Sequence, residues 1–248
     1  MIEIFPVEGL PIIQAGDDLA ELLSSALRAL APRSGDIVVV TSKIVSKAEG
    51  RFVNLRDIQP SPRAQELADQ TGKDPRLVEL ILRESDSVSR AAPGVLITRH
   101  RLGFTSANAA IDHSNVGADP DLVLLMPADP DASARALCAR LSHAFGIHLP
   151  VVIADSHGRP HRLGTIGVAV GVAGMPGIED WRGRRDLFGY ALQHTEIGLA
   201  DMVASAATLL MGQAAERVPA ALVRGVVFSR RDGSAAEIIR PAHLDLYR

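Results

Sequence analysis

Cysteine is almost absent from this chain of 248 residues: Cys138 stands alone, which excludes an internal disulfide and a thiolate metal cluster. It follows Ala136 and Leu137 in an apolar, helix-like stretch, so it reads as an inert buried thiol rather than a nucleophile. Such cysteine usage fits a reducing, cytoplasmic setting. No run of about 18 apolar residues occurs, so no membrane span is expected. The N-terminus, Met1-Ile2-Glu3-Ile4-Phe5-Pro6, has neither the basic region nor the apolar core of a signal peptide. The formal net charge of −3 supplies no global basic field for nucleic acid. The basic cluster of Arg182, Arg184 and Arg185 lies among Gly and Asp and reads as a solvated loop. There is no Walker sequence, no Gly-x-Gly-x-x-Gly after a strand, and no Cys or His pair with zinc-finger spacing. Asp155, Ser156 and His157 are adjacent, whereas catalytic triads draw their members from separate segments.

What remains is a soluble globular composition, 47% hydrophobic and 22% charged, long enough to bury a sizeable core. Strands and helices alternate along it. The short β-branched run Ile37-Val38-Val39-Val40 predicts a buried strand, as do Leu122-Val123-Leu124-Leu125 and Val151-Val152-Ile153-Ala154. Residues 94–98 and 223–228 are further candidates. Leu19, Leu22, Leu23, Ala26, Leu27 and Leu30 follow helical spacing behind an Asp18/Glu21 capping box. Ser61-Pro62 and Asp74-Pro75 each set a cap residue before a proline at a first helical position. Residues 132–145 predict a helix with Gly146 as its left-handed stop, and residues 197–215 predict a long helix rich in Ala and Leu. The glycine-rich stretch 171–189 reads as a mobile loop. No fixed-period repeat is present. These features predict a mixed α/β fold, not a Rossmann sheet, in a single domain over residues 1–248 with a sub-lobe near residues 75–170.

Four polar segments abut predicted strand or helix ends. In Thr41-Ser42-Lys43-Ile44-Val45-Ser46-Lys47-Ala48-Glu49-Gly50, two lysines and hydroxyls at a strand's end suit phosphate oxygens. In residues 105–116, Asp112 is a hard oxygen donor for Mg²⁺ or Mn²⁺, and Asn115 offers both donors and an acceptor. Taken singly, each of these two is more often a solvated loop or an Asx-stabilised turn. In Asp155-Ser156-His157-Gly158-Arg159-Pro160-His161-Arg162, an aspartate terminates a buried strand, where ligands gather in open α/β sheets. That density of polar groups beside a core strand makes a metal–phosphate corner. In Leu209-Leu210-Met211-Gly212-Gln213, Gln213 can reach a metal or a phosphate, although a solvent-facing amide at a helix end is the commoner reading.

In this order the segments resemble the F420-0:gamma-glutamyl ligase family, the coenzyme F420:L-glutamate ligases. The resemblance rests on Gly9-Leu10-Pro11-Ile12-Ile13, residues 40–51, Ala107-Asn108-Ala109-Ala110-Ile111-Asp112-His113-Ser114-Asn115-Val116, residues 155–162, and Leu210-Met211-Gly212-Gln213. It spans nearly the whole chain, and its specificity lies in the combination. The resemblance implies an amide ligase that uses GTP to activate a carboxylate on the phospholactyl arm of F420-0. L-glutamate's amine then takes the acyl group from an acyl phosphate. It also implies two divalent ions, Mg²⁺ or Mn²⁺, activation by K⁺, and an interwoven homodimer. By the same resemblance Asp112 and Asp155 hold one metal, and Ser156 and Gln213 a second. Ser42, Lys47, Asn115, Met211 and Gly212 contact GTP, while Leu10, Pro11, Ile12 and Ile13 shape its cleft. Arg159 and Arg162 are expected to steady the phosphate or the acidic precursor, with Arg159 beside Asp112 and Asp155 in the catalytic group. Family members commonly carry acids where Met202 and Thr208 stand, a departure that keeps open a ligase acting on another carboxylate. A nucleotide-binding regulator without catalysis is the rival from another class, and the pair Asp112 and Asp155 speaks against it.

Overall fold

The computed structural model describes residues 1–245. Its strands are β1 (Glu3–Pro6), β2 (Ile37–Thr41), β3 (Phe52–Asn54), β4 (Ser85–Ala92), β5 (Val95–His100), β6 (Thr105–Ala107), β7 (Leu122–Leu124), β8 (Val151–Arg159), β9 (Arg162–Ala173), β10 (Glu179–Asp180), β11 (Glu196–Ile197) and β12 (Ala220–Arg224). The helices are α1 (Leu19–Leu27), α2 (Ser42–Ala48), α3 (Pro62–Thr71), α4 (Pro75–Arg83), α5 (Pro130–Phe145) and α6 (Leu199–Met211). The arrangement is mixed α/β with several sheets.

The main sheet has the order β1-β12-β2-β8-β9. Only β2 and β8 are parallel; every other pair in it is antiparallel. Both faces are covered, which is why β2 is a continuous apolar run rather than an alternating one. Val38, Val40, Val151 and Ile153 face a core shared with α1 and α5. Ile37, Val39, Val152 and Ala154 face a second core built on α6. Period-two geometry thus splits one run of valines between two layers. A third cluster, including Leu55, Leu67, Ile81, Leu96 and Val123, packs α3 and α4 against the smaller sheets formed by β3–β7 and β4–β6.

Caps anticipated from sequence form. Asp18 accepts from the Glu21 amide at 3.1 Å, Ser61 from Ala64 at 3.2 Å, and Asp74 from Arg76 at 2.8 Å. Gly146 closes α5 at φ 65°.

Four expectations need correction. The strand expected at residues 223–228 lies earlier, as β12 ends at Arg224 and residues 225–228 are irregular. Asp155 does not end its strand: β8 runs on to Arg159 and turns back as β9, so the polar segment is itself half of a long hairpin. The last long helix stops at Met211 instead of residue 215. Gly212, at φ 73° and ψ −171°, adopts a conformation open essentially to glycine alone and cannot continue a helix. Residues 171–173 are strand, not loop. The glycines there serve close packing: a Cβ on Gly171 would collide with the Pro130 carbonyl, and one on Gly167 would lie 2.7 Å from the Ala204 carbonyl of α6. The stretch between β10 and β11 is irregular and exposed, as expected.

Candidate functional site

Because β2 and β8 run parallel, their carboxyl ends open on the same edge of the sheet. The register pairs Thr41 with Ala154, so the next residues, Ser42 and Asp155, come together. Ser42 Oγ donates to Asp155 Oδ1 at 2.7 Å. His157 Nε2 stands 2.9 Å from Asp155 Oδ2, at ion-pair distance although its N–H is not aligned on that oxygen. The rings of His100, Phe104 and His157 form a file behind it, with centroids 4.7 and 4.9 Å apart. Burial pushes the Asp155 carboxyl up; His157, Ser42 and the Ser156 amide together outweigh this and hold it below the usual carboxylate range.

The chain turns from β2 straight into α2, and Lys43 and Lys47, four residues apart, emerge on one face of that helix. They meet the loop after β6. Lys43 Nζ lies 3.2 Å from Asp112 Oδ1 and donates to Ser114 O at 2.8 Å and to Ser114 Oγ at 3.2 Å. Lys47 Nζ donates to Asn115 O at 2.6 Å. Burial and the nearby Lys43 charge depress the Lys47 ammonium, opposed by Asp112.

Asp112 is delivered by an unusual turn. Asn108, Ala109 and Ala110 sit at φ 53°, 51° and 52°, three successive left-handed residues without a glycine. Each costs about 1–2 kcal/mol. The turn is held by Ile111 N donating to Asn108 O at 3.0 Å, and by reciprocal 2.9 Å bonds between the Asp112 and Leu124 backbones. Strain of this kind, fixed on both sides, is characteristic of sites that must aim a side chain. Burial, and the like charge of Asp155, raise the Asp112 carboxyl to about 6 in spite of Lys43 and Lys47.

A third strand of chain completes the edge. Beyond α6, Gln213 Oε1 accepts from Ser156 Oγ at 2.8 Å, and Asn115 Nδ2 donates to Ala214 O at 2.8 Å. These segments and residues 10–13 enclose one open cavity of about 770 Å³. It is large enough for a nucleotide or a ligand of similar size. Thirteen of the fifteen residues given a role from sequence line it: Leu10, Pro11, Ile12, Ile13, Ser42, Lys47, Asp112, Asn115, Asp155, Ser156, Met211, Gly212 and Gln213. Arg162, at the start of β9, does not, and neither does Arg159. It lies at the far end of β8, where its Nη2 donates to Leu163 O at 3.3 Å across the hairpin turn. Of the two positions expected to depart from the family pattern, Thr208 lines the cavity and Met202 does not.

Lys43, one of the two lysines whose segment suits phosphate oxygens, also lines it, although the family resemblance assigns it no role. Its four-residue spacing from Lys47 is the available signal, and it becomes legible only once α2 is known to begin at Ser42. Among the described residues no group of three His, Cys, Asp or Glu side chains is placed to hold a metal. The donor set is instead two carboxylates, hydroxyls and an amide. All are hard oxygen donors, which suits Mg²⁺ or Mn²⁺ completed by water and phosphate oxygens.

The family model described as F420-0:Gamma-glutamyl ligase matches residues 9–225. The chain is 47% identical to the Coenzyme F420:L-glutamate ligase of Methanothermobacter thermautotrophicus, covering 100% of this chain and 99% of that protein. It is 45% identical to the one from Methanopyrus kandleri, over 98% and 97%, and 42% identical to the one from Archaeoglobus fulgidus, over 100% and 96%.

Proposed function

Since the chain belongs to the F420-0:gamma-glutamyl ligase family, we propose that it joins L-glutamate to coenzyme F420-0 in a GTP-dependent reaction. The observation that supports this reading best is the meeting of Asp112 and Asp155 with Lys43 and Lys47 at the open end of the β2–β8 pair. Phosphoryl transfer to a carboxylate crowds negative oxygens together, and positioning with charge neutralisation is most of what a protein must supply.

In this scheme Asp112 and Asp155 hold one divalent ion, and Ser156 and Gln213 a second. When bound, such ions draw phosphate oxygens together and screen the charge that develops on them. Lys47, Ser42 and Asn115 hold the nucleotide phosphates, and the apolar wall of residues 10–13 receives the rest of the nucleotide. The γ-phosphoryl group passes to the F420-0 carboxylate, releasing GDP. The glutamate amine then attacks the acyl carbon, the C–O bond to phosphate breaks, and phosphate leaves as the amide forms. Among the described residues of the cavity there is no cysteine, which agrees with a phosphate-activated rather than a thiol-bound acyl group. Activation by K⁺ is part of the same proposal. Arg159, at the hairpin end, is better suited to supporting the β8–β9 turn than to touching the reacting atoms.

A homodimer completes the reading. Leu163, Leu187 and Phe188 are 99%, 98% and 95% exposed. A second copy is the occupant proposed for these apolar tips. Continuous release of GDP from GTP, with F420-0 required for any release and L-glutamate required for turnover beyond one equivalent per site, tests the function; release that ignores F420-0, or turnover that yields no glutamyl product when glutamate is present, would contradict it.

A further inference from the structure

We propose that Lys43 is a built-in stand-in for the metal: in the nucleotide-free protein its ammonium holds the cation position on Asp112, and a divalent ion must displace it to bind. The inference rests on the reading of Asp112 and Asp155 as metal ligands.

Lysine is scarce in this chain, with only Lys43, Lys47 and Lys73, and two of the three stand in the cavity. The ammonium of Lys43 has three oxygen neighbours, Asp112 Oδ1, Ser114 O and Ser114 Oγ, at 2.8 to 3.2 Å. That uses all three donors of the group in a cage of hard oxygens around one positive charge. Lys47 differs, since its partner is the Asn115 carbonyl and no carboxylate. Asp155 differs too, as its oxygens are met by Ser42 and His157 and not by a lysine. Only one of the two carboxylates therefore carries a cationic placeholder.

The placeholder answers a physical problem. Two carboxylates facing one cavity repel, and an empty site would leave Asp112 half-buried without compensation. A fixed ammonium relieves this while the site waits, but it cannot remain once a divalent ion takes the same carboxylate, because the two cations would repel at close range. Released from Asp112, Lys43 keeps its flexible stem at the cavity wall and needs a new anion. Nucleotide phosphate supplies it. Metal and nucleotide should therefore bind cooperatively, each removing part of the cost of the other.

Mn²⁺ binding to the nucleotide-free protein, followed by electron paramagnetic resonance, tests this with Lys43→Met, Lys43→Arg and Asp155→Asn. Methionine keeps an unbranched stem without the charge. Lys43→Met should tighten Mn²⁺ about fivefold or more, the scale of a lost partly exposed ion pair, and should lower the cooperativity between Mn²⁺ and GDP to what direct metal–phosphate contact supplies. Lys43→Arg should not tighten it. Mn²⁺ affinity unchanged or weakened in Lys43→Met, or absent in both it and the wild type, would overturn the proposal. Asp155→Asn separates the two ideas. If it binds Mn²⁺ like the wild type, the metal-site reading fails as well. If it loses Mn²⁺, the metal site holds and the two Lys43 variants alone decide whether the ammonium is a placeholder. A second readout needs no variant. With three lysines, the side-chain signals of protein labelled with carbon-13 lysine are few, and the Lys43 Cε signal should shift on adding Mg²⁺ alone. A Lys43 signal that stays fixed while Mg²⁺ binds would contradict displacement.

Discussion

Ser42 donates a 2.7 Å hydrogen bond to Asp155, across 113 positions of sequence, because β2 and β8 are parallel and in register at Thr41 and Ala154. The sheet thereby fixes one oxygen of the carboxylate and leaves the group ionised. Asp155→Asn preserves the shape and removes the charge. It should weaken Mn²⁺ binding at least about 100-fold, beyond the 10–100-fold typical of residues that merely support a ligand. Turnover should fall in parallel. Near-normal activity at low Mn²⁺ would remove Asp155 from the metal site.

Lys47 is half-buried, and its ammonium is depressed by burial and by Lys43. If it meets nucleotide phosphate, Lys47→Ala should weaken GDP binding by about 1–3 kcal/mol, the range for charge-assisted hydrogen bonds. Calorimetry with GDP measures this directly. An unchanged dissociation constant would leave Lys47 as a strut for Asn115 only.

Asp112 gives a pH dependence whose sign follows from its position. Burial first, and Asp155 second, raise its folded-state pKa to about 6 from the ordinary 3.8. Its favourable contribution is complete below the unfolded pKa and is lost as pH rises through 6. In metal-free protein, Asp112→Asn should therefore match the wild type near pH 4 and become relatively more stable between pH 4 and 7. The gain is on the order of 1 kcal/mol, since water still reaches the side chain. Urea unfolding of both proteins across that range checks it. A difference that does not change with pH would contradict the assignment.

Gly171 lies in β9 against the Pro130 carbonyl at the start of α5. Backbone there cannot yield to a methyl group without moving the helix. Gly171→Ala should cost about 1–3 kcal/mol by overpacking, read from denaturant unfolding, with no selective effect on nucleotide affinity.

The lining of the cavity was more legible in the sequence than the fold. Ile37, Val38, Val39 and Val40 announce a buried strand because both faces are covered, and the Ser61 and Asp74 caps announce two helices because capping is local chemistry. β9 was hidden because its glycines, which resemble loop punctuation, are there for contact with α5 and α6. Such contact is tertiary and leaves no periodic signal. The left-handed turn at Asn108, Ala109 and Ala110 was hidden for a related reason, since alanine ordinarily favours the opposite hand and only the fold holds it there. Arg159 shares a motif with Asp155, yet four residues of extended strand carry it out of the cavity.

The most direct test of GTP-dependent glutamate ligation uses F420-0 labelled with ¹⁸O in its carboxylate, incubated with purified protein, GTP, L-glutamate and Mn²⁺. Mass spectrometry should find F420-0 extended by glutamate, GDP in equal amount, and one ¹⁸O atom carried into the released inorganic phosphate. Absence of the glutamyl product would contradict the function, and product formed with unlabelled phosphate would contradict activation of the carboxylate by phosphoryl transfer.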